Sequence, residues 1–160
     1  MIGTMVAAYA VAIVVIGVWV AIESARLGHG PPDRHQPSFL AFPLANMVMF
    51  ALFTGAAVAY RKAPGFHKRL MLLATMGLVI TPLARISRML DLPFSPPAIG
   101  GMLLSDLFLV ALALFDWKRL GKLHPATLWG GGLYLLSQPV RVAVGQTPQW
   151  QSFAQYLMGG

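Results

Sequence analysis

The residues of this chain that could do chemistry are few, and most lie inside long apolar runs. Asp106 sits nine residues from either end of the run 97–115. A carboxylate at the centre of a membrane-spanning helix costs about 2.5–3.5 kcal/mol unless it is neutral or paired. Counted at about 1.5 Å per residue, Tyr134 reaches a similar depth on the following run. Asn46 and Gln138 form a layer closer to the outer side, and Arg85, Arg88 and Arg141 stand near the outer boundary. Tyr134, Gln138 and Arg141 follow an i, i+4, i+7 spacing and share one helix face. Binding is the chemistry these types suit. Asp106 with Tyr134 would form the floor of a polar cleft, Asn46 and Gln138 its walls, and the three arginines its rim. Such a cleft fits an amphipathic ligand with an anionic or carbonyl head, such as a quinone, a lipid headgroup or haem propionates. The structural reading stands beside it: Asp106 is a buried structural partner of Arg85 or Tyr134, and Arg88 and Arg141 snorkel outward.

Histidine sets a second question. A b-type haem in a helical bundle takes axial histidines from facing helices at one depth. His67 and His124 match in depth, at the inner membrane edge. His29 and His35 lie in the first outer connection and would reach a haem only if that loop folds inward. Ordinary juxtamembrane polar residues are the competing reading for both pairs. No His-Glu-x-x-His spacing occurs, so a zinc enzyme has no support, and Ser105-Asp106 has no histidine at its depth for triad chemistry. The chain has no cysteine, which excludes disulfides, thiolate-held iron–sulfur clusters and thiol catalysis. Its methionines read as flexible packing.

These residues are carried on five runs, 5–22, 37–60, 68–89, 97–115 and 125–144, each with few or no charges. A helix of about 20 apolar residues crosses about 30 Å of hydrocarbon, and only helices and closed barrels satisfy their backbones there. Apolar residues are 57% of the chain and charged residues 11%, against about 25% charged in soluble domains. The expected fold is all-α and polytopic: one domain, residues 1–160, with five transmembrane helices in one bundle. A short amphipathic helix over 149–158 is expected to lie in the interface, because Trp150, Phe153, Ala154 and Leu157 recur at i, i+3, i+4, i+7. Gly121 is placed to end the fourth helix and Pro125 to begin the fifth. Gly130, Gly131 and Gly132 would let another helix approach closely. The first run is too long for a signal-peptide core and lacks a basic lead.

Orientation follows from the cations. Arg61, Lys62, Lys68, Arg69, Lys118, Arg119 and Lys122 fall on one side, which the positive-inside rule makes cytoplasmic. That places the N-terminus inside and the C-terminus outside. The net charge of +7 therefore reads as topology and as contact with anionic headgroups, not as nucleic-acid binding.

The run from Phe66 through His67-Lys68-Arg69-Leu70-Met71 to Thr75, with Pro82 and Arg85, resembles a family of bacterial inner-membrane proteins of uncharacterised function. His124-Pro125, Trp129-Gly130-Gly131, Ser137-Gln138-Pro139, Arg141, Thr147-Pro148, Trp150 and Phe153 carry the likeness on, over about residues 37–158. The resemblance implies an inner-membrane location and groups His67, Arg85, His124, Gln138 and Arg141 in one constellation. The histidine-and-basic entry to a helix is also loosely similar to small b561-like redox membrane proteins, whose paired in-helix histidines this chain lacks. Two function classes follow. One is a non-catalytic accessory or assembly subunit that packs against a larger membrane complex or a second copy. The other is a small redox protein with haem or quinone in the outer cleft.

Overall fold

A computed structural model describes residues 2–29, 36–90 and 97–159. Every regular element among them is a helix: α1 (Ile2–Arg26), α2 (Gln36–Ala59), α3 (Pro64–Met89), α4 (Pro97–Leu120), α5 (Pro125–Gly145) and α6 (Pro148–Leu157). Four stretches are long and apolar enough to cross a membrane: Ala7–Arg26, Pro37–Ala59, Pro64–Ser87 and Gly100–Leu120. The expected fifth, α5, does not reach that composition. Its three consecutive glycines, with Ser137, Gln138, Pro139 and Arg141, dilute an otherwise apolar sequence.

Local chemistry sets the ends. Gly28 takes φ +69° after α1. Its N–H bonds Ala25 O at 3.1 Å and that of His29 bonds Ser24 O at 2.9 Å, so the last carbonyls of α1 are satisfied by a left-handed turn. Gly121 ends α4 the same way at φ +68°, as expected. Three helices outrun their expected bounds. α1 spans Ile2–Arg26 where 5–22 was expected, α3 begins one turn earlier, on Pro64, and α4 runs on past Phe115 to Leu120.

The helices sort into two compact units, 1–51 with 137–160, and 52–136. In the first, Ala25, Leu40 and Ala154 are buried together, with Ala21, Leu44, Trp150 and Leu157 packed on them. Here α6 is stitched down at both ends. Trp150 donates its indole N–H to Pro37 O at 2.9 Å, and Arg26 donates Nε–H to Leu157 O at 3.0 Å. Much of the stripe expected to face the interface therefore meets protein, while Tyr156, 77% exposed, faces away.

In the second unit α3 and α4 pack along one another. Gly101 makes this possible, because a Cβ there would lie 2.7 Å from Ile80 O. α5 enters through Gly130, set against Leu73 and Phe53, and Gly131, set against Leu109. Close approach is what the glycine run was expected to provide, but Gly132 faces open space.

Candidate functional site

The densest polar cluster among the described residues lies where α3 and α5 begin and α4 ends. Asp116, on the last turns of α4, is completely buried. The longer α4 and earlier α3 bring it against Arg69, whose Nε donates to the two carboxylate oxygens at 2.9 and 3.1 Å. Arg69 Nη2 also bonds Asp116 Oδ1, and Nη1 donates to Gly65 O at 2.9 Å. Asp116 Oδ2 accepts from Thr127 Oγ1 at 2.5 Å and from the His124 N–H at 3.2 Å. A buried carboxylate is tolerable only with a cation and further donors on its remaining lone pairs. Asp116 has both, and so clamps three helices at one end.

His67 and His124, the pair weighed as inner-edge haem ligands, are helix caps beside this clamp. His67 Nδ1 lies 2.8 Å from Ala57 O. A carbonyl can only accept, so Nδ1 carries the proton. Ala57 stands in the last turn of α2, where the Arg61 N–H turns back to Val58 O instead. His67 therefore satisfies a carbonyl that the end of α2 would leave unpaired. His124 does the opposite. Its backbone carbonyl accepts from the N–H groups of Thr127 and Leu128, and its Nδ1 accepts from the Ala126 N–H at 3.1 Å. That is an N-cap, with Pro125 in the first helical position. The neutral ring must then carry its proton on Nε2. It meets Phe66 edge-on at 4.7 Å between ring centroids, and Phe66 stacks on Tyr60 at 5.0 Å. Burial pushes the His124 pKa down, Arg69 pushes it further, and Asp116 opposes them.

The residues expected to line one cleft fall into both units. In the first, Arg141 is 2% exposed and Asn46 3%. Arg141 donates Nη1–H to Asn46 Oδ1 at 2.5 Å, Nη2–H to Ser137 Oγ at 2.6 Å and Nε–H to Ser137 O at 3.1 Å. Asn46 and Arg141 thus meet, with Gln138 half-buried on the same helix. In the second unit, Tyr134 is fully buried and its hydroxyl lies 2.8 Å from Ser105 Oγ, which donates to Met102 O at 2.7 Å. Tyr134 is the donor of that pair. Asp106 is half-buried and Arg85 exposed. His29 is exposed after α1. His35 and the side chain of Arg88 lie outside the described residues. Among those described, no three His, Asp or Glu side chains are grouped to hold a metal.

Sequence reasoning missed Asp116 and Thr127, weighed Ser105 only as a nucleophile and not as the partner of Tyr134, and counted Arg69 with the free cations. One signal could have found the clamp. Of the chain's five acids, Glu23, Asp33, Asp91, Asp106 and Asp116, Asp116 alone falls among the seven cations expected on the inner side, so a pairing there was to be expected.

No protein-family model, curated protein or solved structure matches this chain.

Proposed function

We propose that this chain is a non-catalytic integral protein of the bacterial inner membrane, an accessory or assembly subunit that packs on a larger membrane complex through α1. The observation that carries this is an asymmetry of burial. None of the most apolar stretch of α1 is buried, against 44% in α2 and 39% in each of α3 and α4. Tyr9, Val11, Val15, Ile16 and Trp19 are all more than half exposed. Ala8 and Ala12, also exposed, have the four-residue spacing of small side chains that lets a second helix approach in lipid.

Five spans are part of the proposal. α5, at about 1.5 Å per residue, is roughly as long as the hydrocarbon is thick. The polar side chains that dilute it are turned away from the surroundings: Arg141 is buried and Gln138 and Ser137 are half-buried. Leu128, Trp129, Leu133, Leu135, Leu136, Val140, Val142 and Val144 are the large side chains it exposes. With five crossings, the exposed Arg61, Lys62, Lys68, Lys118, Arg119 and Lys122 face the cytoplasm. The sole acid among them is consumed by Arg69, so six cations meet anionic headgroups there, each contributing about 1 kcal/mol. Exposed Tyr60, Trp117 and Trp129 supply the aromatic belt at that level.

Photo-crosslinking in native membranes tests the docking role. A photoreactive residue at Val11 or Val15 is expected to give a discrete product with another protein, and one at Leu107 or Val110 of α4 lipid adducts only. Lipid adducts alone from α1 would contradict it, and a product of twice the chain's mass would replace the larger complex by a second copy.

A second reading, a redox protein with a quinone or haem in the outer cleft, is favoured by Arg141, a buried guanidinium held by an amide and a hydroxyl that suits a carbonyl or carboxylate head. A quinone or a reducible Soret band in protein purified in mild detergent supports it, and a colourless protein with an empty extract retires it.

A further inference from the structure

We propose that the start of α5 is an acid-operated latch, closed while the His124 ring is neutral and released when it is protonated. The geometry makes the ring's role conditional on its protonation state. Its Nδ1 accepts the Ala126 N–H at 3.1 Å, and a protonated ring has no lone pair to offer. Protonation would point two N–H groups at one another and set a positive charge on a helix N-terminus, where the macrodipole disfavours it.

The groups around the ring decide how strongly. From α3 come the Arg69 guanidinium, Phe66 at 4.7 Å and Gly65, whose added Cβ would lie 3.2 Å from Nε2. From α4 comes Asp116, the one anion, with its oxygens already accepting from Arg69, Thr127 and the His124 N–H. Lys118, Arg119 and Lys122 stand exposed in the adjoining turn. The seat is therefore built for an uncharged ring, and the downward push on His124 by burial and by Arg69 is its consequence.

Linkage gives the sign. A histidine whose pKa is lowered in the closed state stabilises that state above its ordinary value and stops doing so as pH falls. Closure therefore weakens as pH falls below about 6.5, by roughly tenfold per pH unit until the ring is protonated in place. Acid on this side thus loosens the beginning of α5, whereas the end of α2 is capped by a donor, the His67 Nδ1–H on Ala57 O. The latch is independent of the role given to α1.

The test is amide hydrogen exchange on the full chain in lipid nanodiscs at pH 7.5 and 5.5, corrected for intrinsic rates. Protection at Ala126, Thr127 and Leu128 is expected to fall about tenfold at the lower pH, while Tyr60 and Arg61 keep theirs. His124→Asn, which retains a cap acceptor and does not titrate, is expected to hold α5 protected at both pH values. Equal protection in the native chain at both pH values would overturn the latch, as would the same fall in His124→Asn. Nitrogen-15 spectra of ring-labelled histidine in the native chain decide the matter without a variant. They should show Nδ1 unprotonated at pH 7.5, and a proton on Nδ1 at that pH would contradict the proposal.

Discussion

Asp116→Ala is expected to lower unfolding stability in detergent by about 3–5 kcal/mol, the usual cost of removing one partner from a buried ion pair. The loss is large because the variant strands Arg69, only 13% exposed, with its bond to Gly65 O but no anion. Thr127 Oγ1 and the His124 N–H lose their acceptor in the same step. The effect belongs to the broken pair and not to the aspartate alone. Asp116→Leu combined with Arg69→Met should therefore recover most of the stability, because a well-packed apolar replacement of a buried ion pair is often neutral or better. Thermal or denaturant unfolding of the single and double variants measures this. A double variant as unstable as Asp116→Ala would show that the clamp acts through hydrogen bonds to α5 more than through the removal of charge.

Gly101→Val is expected to cost at least about 1–3 kcal/mol, the range for overpacking a full core. The new side chain would begin 2.7 Å from Ile80 O and 2.8–2.9 Å from Ala84. Backbone atoms cannot rotate aside, so α3 and α4 must separate. Gly132→Ala is the matched control. It meets nothing within 4 Å and should be stabilising by about 0.5–1 kcal/mol, the ordinary gain of alanine over glycine inside a helix. Unfolding midpoints of the two variants in one detergent compare them directly. Equal midpoints would mean that the α3–α4 contact at Gly101 adjusts without cost.

The helices were legible because apolar runs of membrane length have few alternative fates. The clamp was not, and the reason is local. Ending the fourth helix at Phe115 left Asp116 in a connection and cut away the turn that brings it to Arg69, a residue already inside the expected third helix. Charged residues near a helix end look like loop residues when only hydropathy is read. The interior carboxylate Asp106 drew the attention that Asp116 warranted. The roles of His67 and His124 were hidden for a different reason. Each serves a backbone group, Ala57 O and the Ala126 N–H, and backbone partners leave no mark in a residue pattern. Asn46 was matched by depth with Gln138 and Arg141 was placed one layer further out, yet it is Arg141 that bonds Asn46, because a guanidinium on a long side chain reaches across the layer that a residue count assigns it. α5, expected as a fifth span, falls short of the composition of the other four, because its glycines and polar side chains lower an average taken over the whole helix.

Membrane topology is the most direct test, because five crossings and an outward C-terminus both require α5 to cross. The natural absence of cysteine makes the measurement clean: single cysteines at Gly28, Lys62, Lys122 and Gln146, labelled with an impermeant thiol reagent in intact cells and in inverted vesicles. Cysteines replacing Lys62 and Lys122 should label only in inverted vesicles, and those replacing Gly28 and Gln146 only in intact cells. Labelling of the Lys122 and Gln146 positions from the same side would contradict the account, since α5 would then lie on the membrane and not across it.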